Sequence, residues 1–328
     1  MAHTATYIQA LKEAIDEELE RDERVFLMGE DVQAGPFGVT GGLVKKYGPE
    51  RIRNTPISEA GFVGAGLGAA IAGSRPIVEI EFAAMVYMAF DQLVNQIAKT
   101  RYMSGNQVSA PVTIRSAVAM GLSAGAQHSD TPHALFTHMP GLKVVVPSGP
   151  RDAKGLLKTA IRDDDPVMFL ESMALAATKE ELPDEEELIP FGRVNVLREG
   201  DDLTIVALGS AVPPAAAAAD TLQAEGVSVE LVDPRSLVPM DWAGLFASAR
   251  KTGRVVVVDD ATPLCSFASE AAASIGEYCF DELKAPVRRV TRENVPVPFS
   301  PPMEKHILLN PDKVLDACRS ILTLERSV

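Results

Sequence analysis

Residues 55–73, TPISEAGFVGAGLGAAIAG, set the tightest condition on how this chain can fold. One carboxylate, Glu59, stands at the entrance of a helix built almost wholly from Gly and Ala. Each interior Gly costs a helix about 1 kcal/mol relative to Ala, and Gly61, Gly64, Gly66 and Gly68 all fall within about two turns. Such a segment is helical only if something outside it makes up the loss. Ala60, Gly64, Gly68 and Ala72 recur at every fourth position and form a flat ridge. A ridge of small residues lets another backbone approach closely. A carboxylate beside a tight helix–helix seam predicts a site built between two surfaces.

With 328 residues the chain has the length of about two domains, and a hydrophobic content of 46% is enough to fill two cores. A net charge of −14 argues against nucleic acid and anionic membranes as partners. No apolar run approaches the ~20 residues of a spanning helix. The leading MAHTATYIQA carries neither a secretory nor an Arg-rich transit pattern. Cys265, Cys279 and Cys318, widely spaced and odd in number, suit a reducing cytoplasm and exclude a cysteine-based zinc site. A cytoplasmic protein is the expectation.

Hydrophobic patterning alternates between helix and strand. Ile8, Leu11, Ile15 and Leu19 give a first helix its apolar face, and RVFLM (24–28) reads as a buried strand ending at Gly29-Glu30-Asp31. IVEI (77–80), PVTIR (111–115), LKVVV (142–146) and PVMFLE (166–171) are further strands, with helices near 84–100 and 150–162. An acidic, aperiodic run follows over 173–192. The alternation then restarts with LTIVALG (203–209), VSVELVD (227–233), RVVVVDD (254–260) and VRRVTR (287–292). The pattern predicts an α/β protein of two domains with largely parallel sheets flanked by helices. The expected domains are residues 1–180 and 193–328, joined by an acidic linker over 181–192. Functional groups in such sheets gather at the carboxyl ends of the strands, which is where Glu30, Glu81 and the loop after Arg115 fall.

The chain has no Walker A loop, no Gly-x-Gly-x-x-Gly between strand and helix, and no His-Glu-x-x-His. Gly121-Leu122-Ser123-Ala124-Gly125 fits the nucleophile-elbow pattern of serine hydrolases. An elbow needs a strand running straight into the serine and a helix straight out of it. Here several small residues separate Arg115 from Ser123, which reads better as part of a flexible loop. A serine hydrolase stays open as a minor alternative.

Glu59, Gly64-Ala65 and Gly68-Ala69 match, in spacing, the pyrimidine-binding domain of thiamine-diphosphate enzymes. GED (29–31), DQLVNQIAKTRYMSG (91–105), QHS (127–129), PGLKVVVPS (140–148) and DAKGLLKTAIRDDDPV (152–167) narrow the match. From end to end the chain resembles the β subunit of the E1 component of 2-oxo acid dehydrogenases, the pyruvate, branched-chain and acetoin family. The resemblance implies a pyrimidine-binding domain followed by a transketolase C-terminal-like domain. It also implies thiamine diphosphate as cofactor and an α2β2 heterotetramer. The implied reaction is oxidative decarboxylation of a 2-oxo acid with a disulfide as acceptor, the acyl group passing to the lipoyl arm of an E2 partner. The family holds the diphosphate through a metal bound at Gly-Asp-Gly, and this sequence contains no Gly-Asp-Gly. Mg2+ and the phosphate grip would therefore come from the α subunit, and the Gly/Ala ridge would lie where the halves meet.

In this family a glutamate hydrogen-bonds N1′ of the aminopyrimidine and favours its imino tautomer, which activates the thiazolium C2. The resemblance gives that role to Glu59. A carboxyl group that shares a proton at neutral pH needs desolvation, whereas a helix N-terminus favours the anion; burial is expected to win. Without the glycines and the family match, Glu59 would read as a helix-capping acid. The QHS context implies that His128 assists acyl transfer. Glu30, Ile57, Ser58, Glu81 and Met85 are implied to line the cofactor. Val112, Ala160, Ile161, Asp163 and Asp165 align with a potassium site of the family. Such sites use mainly backbone carbonyls, so a helix end capped by hydrogen bonds alone reads equally well.

Some positions depart from the family pattern. After Phe82, relatives commonly carry an acid or amide followed by an aromatic that covers the pyrimidine; here the pair is Ala84-Met85. A thioether can cover an aromatic face, with contacts worth ~0.3–1.5 kcal/mol. Glu81 replaces a frequent Gln, and Asp130 replaces the Gln that often follows His-Ser. APVRRVTRENVPVPFS (285–300) is similar to the pyruvate and acetoin branch. The alternatives are an acetoin-cleaving β subunit and a non-catalytic paralogue disabled by these changes.

Overall fold

The structure, a computed structural model, describes residues 2–324. The chain divides into two units, one running to Phe191 and the other starting at Gly192.

In the first unit β1 (His3–Thr6) leads into α1 (Tyr7–Arg21) through a capping box. The Gln9 amide donates to the Thr6 hydroxyl at 3.2 Å, and the Thr6 amide donates to the Gln9 side chain at 2.8 Å. Tyr7, Leu11, Ala14, Ile15 and Leu19 are buried on one face, as the helical period requires. β2 (Val25–Gly29), α2 (Leu43–Tyr47), β3 (Ile52–Asn54), α3 (Glu59–Ile71) and β4 (Arg75–Phe82) follow. Then come α4 (Ala98–Met103), β5 (Thr113–Val118), α5 (His133–Thr137) and β6 (Lys143–Val145). α6 (Pro150–Arg162), β7 (Val167–Ser172) and β8 (Lys179–Leu182) end the series. The principal sheet of this unit runs β6-β7-β5-β4-β2-β3, all pairs parallel. β1 and β8 pair antiparallel apart from it. Parallel strands are covered on both faces, and β2, β5 and β7 are buried at every residue.

The glycine-rich helix finds its compensation against this sheet. A Cβ on Gly66 would lie 2.6 Å from Val78 Cγ2, so α3 approaches β4 more closely than any larger residue allows. Phe62, Val63, Leu67 and Ala70 are buried alongside. The outward ridge is rotated from the expected one. Ala60 and Gly64 are half-buried, Gly64 facing Gln92, while Gly61, Ala65, Gly68 and Ala72 are exposed. The segment expected as one helix near 84–100 has three windings: a 3-10 turn over Ala83–Ala89, a π segment over Gln92–Ile97, and α4. The acidic stretch is fastened to the first unit as far as Phe191. Leu182 is buried with Ala5 and Ala10, and Ile189 enters the main core against Gly155.

The second unit contains β9 (Asn195–Arg198), β10 (Leu203–Ala207), α7 (Val212–Ala224), β11 (Val229–Asp233), β12 (Ser236–Val238) and α8 (Trp242–Thr252). β13 (Val255–Asp259), α9 (Phe267–Tyr278), β14 (Arg288–Thr291), α10 (Pro301–Ile307) and α11 (Pro311–Leu322) complete it. Its sheet runs β14-β13-β10-β11-β9, parallel except for β9 against β11. Leu203, Ile205, Val256 and Val258 pack with Ala215, Ala218 and Leu222 of α7 and with Val314, Cys318 and Ile321 of α11. The three cysteines are free, and burial pushes the Cys318 thiol up to about 12. Among the described residues no helix is long and apolar enough to cross a membrane.

Candidate active site

Gly29 closes β2 at a point where a Cβ would lie 2.3 Å from the Glu79 carbonyl oxygen, so only glycine fits. The chain then turns out of the sheet through Glu30 and Asp31, the latter at φ 48°. Glu81 and Phe82 end the adjacent β4. Glu59 opens α3 and is 7% exposed despite its charge-bearing carboxyl. These elements bring together acids that lie far apart in sequence. Burial, then the neighbouring charges of Glu59, Glu81 and Asp31, push the Glu30 carboxyl up to about 7. Burial and Asp31 also raise Glu81. Glu30 Oε1 is buried and has no hydrogen-bond partner. A buried carboxyl oxygen left in that state costs free energy until a partner reaches it, so the cluster has hydrogen-bonding capacity to offer a ligand.

His128 reaches the same strand end from the loop after β5. Its ring lies edge-on to Phe82 with centroids 4.5 Å apart, and Phe82 is edge-on to Phe37 at 5.2 Å. The Tyr87 hydroxyl donates to Asp130 Oδ2 at 2.7 Å, tying this loop to the 3-10 turn. Met85 is half-buried on that turn and Ala84 is buried. Ile57 and Ser58, just before α3, are exposed, Ile57 at 85%. Ser123 lies in an irregular loop beyond the end of β5 at Val118, and α5 begins only at His133. The strand–serine–helix continuity of a nucleophile elbow is absent there.

The residues aligned with a potassium site form the C-terminal end of α6 and its surroundings. Val112 O accepts from the Val167 amide at 3.0 Å, and Ala160 O from the Asp163 amide at 3.2 Å. Arg75 Nη1 donates to Ile161 O at 3.3 Å and to Asp163 O at 2.9 Å. Lys143 Nζ donates to both Asp163 carboxylate oxygens at 2.7 Å. Arg101 and Lys143 pair with Asp165, and Arg75 pairs with Asp164. Protein donors thus engage the carbonyls of Val112, Ala160, Ile161 and Asp163, and Arg75, Arg101 and Lys143 pair with the three aspartates. A carbonyl oxygen that accepts one hydrogen bond keeps a second lone pair, so these contacts are compatible both with a helix end capped by hydrogen bonds and with a cation among the carbonyls.

Beneath the acidic cluster, Arg115 bridges two buried carboxylates. Its Nη1 donates to Glu79 at 2.5 Å, and its Nε and Nη2 hold Glu171 at 2.5 and 2.8 Å. Burial raises the Glu79 carboxyl against the opposing effect of Arg115. A cavity of about 330 Å³ lies elsewhere, between α1, α6 and residues 182–187. Its cations are spent on carboxylates: Lys154 on Glu13 and Glu17, Lys158 on Glu17 and Glu186, Arg151 on Glu187. Two residues of the site, Phe37 and Asp31, are not marked as functional by sequence pattern. Asp31 adjoins Glu30, and Phe37 sits in the glycine-punctuated AGPFGVTGG (34–42), the one local signal that a loop there is held tightly.

Comparison with known proteins agrees with this architecture. Residues 3–178 match the family "Transketolase, pyrimidine binding domain", and residues 192–314 match "Transketolase, C-terminal domain". The chain is 43% identical to the acetoin:2,6-dichlorophenolindophenol oxidoreductase subunit beta of Bacillus subtilis, covering 98% of each chain. It is 42% identical to the 2-oxoisovalerate dehydrogenase subunit beta of the same organism, covering 96% of this chain and 98% of the relative. Among solved structures, a split-gene transketolase, described as an inactive beta4 tetramer, superposes with a TM-score of 0.79 at 27% identity. That match covers 97% of this chain and 98% of the other.

Proposed function

The chain belongs to the transketolase-like E1 β subunits of 2-oxo acid dehydrogenases, and on that premise we propose that it forms the pyrimidine half of a thiamine-diphosphate site. An α subunit in an α2β2 assembly provides the other half, including Mg2+, since this chain has no Gly-Asp-Gly. The observation that carries the reading is the pair Glu59 and Glu30. One carboxyl is buried at the start of α3, and the other presents a buried oxygen without a partner. An aminopyrimidine, with ring nitrogens and an amino group, offers hydrogen-bonding partners for such carboxyls.

When bound, thiamine diphosphate supplies a nucleophilic thiazolium carbon. Glu59 holds a proton at the pyrimidine N1′, and its burial excludes the water that would compete for that bond. Glu30 and Glu81, both raised by burial and neighbouring charge, border Glu59 as further acids. Ile57 and Ser58 lead the backbone into the helix that carries it, and Met85 would cover the face of the ring. His128 assists acyl transfer to the lipoyl group of an E2 partner. The substrate is a 2-oxo acid of the pyruvate type. A second reading, cleavage of acetoin, is favoured by the name of one relative.

Coexpression with an α subunit carrying Gly-Asp-Gly, followed by assay on pyruvate, branched-chain oxo acids and acetoin, tests the reading. Glu59→Gln should lower exchange of the C2 proton by ~10²–10⁴-fold, the range for a positioned acid or base. Unchanged exchange would overturn the assignment and leave the non-catalytic paralogue.

A further inference from the structure

Three segments meet in one run of rings. Phe37 comes from the loop after β2, Phe82 ends β4, and His128 comes from the loop after β5. The planes of Phe37 and Phe82 cross at 82°, and those of Phe82 and His128 at 87°. Edge-to-face pairs of this kind set the orientation of a ring as well as its position. We propose that Phe37 is a positioning residue for His128, acting through Phe82. The inference rests on the reading of His128 as the acyl-transfer residue.

The two phenylalanines belong to held backbone. A Cβ on Gly35 would lie 2.4 Å from the Gly41 amide nitrogen, so the Phe37 loop is folded back on itself. The Gly38 amide donates to Gly35 O at 2.9 Å. Gln33 anchors the base of the loop, its amide donating to Asn54 Oδ1 at 2.9 Å and its side chain to Ile52 O at 2.8 Å. Phe82 is fixed by the pairing of β4 with β5. The loop that carries His128 is of another kind. Gly121, Ser123 and Gly125 adopt φ values of 92°, 55° and 79°, left-handed backbone outside any helix or strand. Its regular hydrogen bond at the histidine is the His128 amide to Gly125 O at 3.2 Å. The ring that the imidazole meets is Phe82, edge-to-face, a contact that orients the imidazole plane. A misplacement of about 1 Å at a reacting group costs on the order of a hundredfold in rate. Phe37 needs no contact with substrate to matter.

The test uses the α2β2 holoenzyme and separates two half-reactions: C2 proton exchange, assigned to Glu59, and acyl transfer to the lipoyl group, assigned to His128. Phe37→Leu removes the ring and keeps an apolar side chain. It should lower kcat for acyl transfer by about three- to tenfold, as expected for loss of one ring pair, with exchange and the KM of the oxo acid unchanged. Phe37→Tyr should restore the rate. Phe37→Leu added to His128→Asn should cause no further loss, because the two act as one unit. Phe37→Met serves the same comparison if the leucine variant does not accumulate. Intact acyl transfer in Phe37→Leu, equal losses in both half-reactions, or additive losses in the double variant would each overturn the proposal. If His128→Asn alone leaves acyl transfer intact, the assignment of His128 fails instead, and the two failures are distinguishable.

Discussion

Glu30 shows how much a single side chain owes to its surroundings. In sequence it is an acid at the end of a strand, and a structural carboxylate would look the same. In the fold it lies with Glu59, Glu81 and Asp31, and burial with those charges raises its carboxyl from 4.5 to about 7. A raised acid binds more protons in the folded state than in the unfolded one between those two values. Its contribution to stability is therefore fully present below pH 4.5 and is lost as pH rises through about 7. Glu30→Gln keeps the shape without the titration. In the cofactor-free protein its urea midpoint should fall less between pH 5 and pH 8 than that of the wild type, leaving the smaller slope due to Glu81. An unchanged slope would count against the acidic cluster as described.

At the scale of elements, α3 carries two glycines with opposite expectations. Gly66→Ala gains up to about 1 kcal/mol of helix propensity but drives a methyl to 2.6 Å from Val78 Cγ2. Overpacking costs ~1–3 kcal/mol, so a net loss is expected. Gly68 has nothing within 4 Å of a Cβ, and Gly68→Ala should stabilise the lone chain by roughly 1 kcal/mol. Denaturant midpoints of the two variants check both signs. In the assembly with the proposed α subunit the Gly68→Ala gain should shrink or reverse, because the exposed stripe would then face another backbone. The periodicity of residues 55–73 announces a helix that must pack tightly, yet it places Ala60 and Gly64 on the wrong side. Over 83–103 the apolar pattern indicates helical winding but not its pitch, since each winding differs from the next tighter one by less than one residue per turn and each runs for only a turn or two.

For the whole molecule, two α/β units each fill a core of their own, and the chain lacks the diphosphate-holding half of the cofactor site proposed for it. Purified alone, it should give no turnover on pyruvate or acetoin with added thiamine diphosphate and Mg2+. Activity should appear on mixing with an α subunit and saturate at equal subunit amounts. Turnover by the lone chain would show that it is self-sufficient and refute the shared site.

The sequence by itself determined the order of helices and strands, the two-unit plan, the family and the acids worth watching, because period, composition and motif spacing are properties of neighbouring residues. The tertiary structure alone decided that Glu30 shares an environment with Glu59. It also brought Phe37 to Phe82 and His128, and Glu79 and Glu171 to either side of Arg115. It placed Arg75 on the carbonyls at the end of α6. Those meetings depend on strand order and parallel register, which set residues from distant segments side by side, and no local pattern along the chain encodes them.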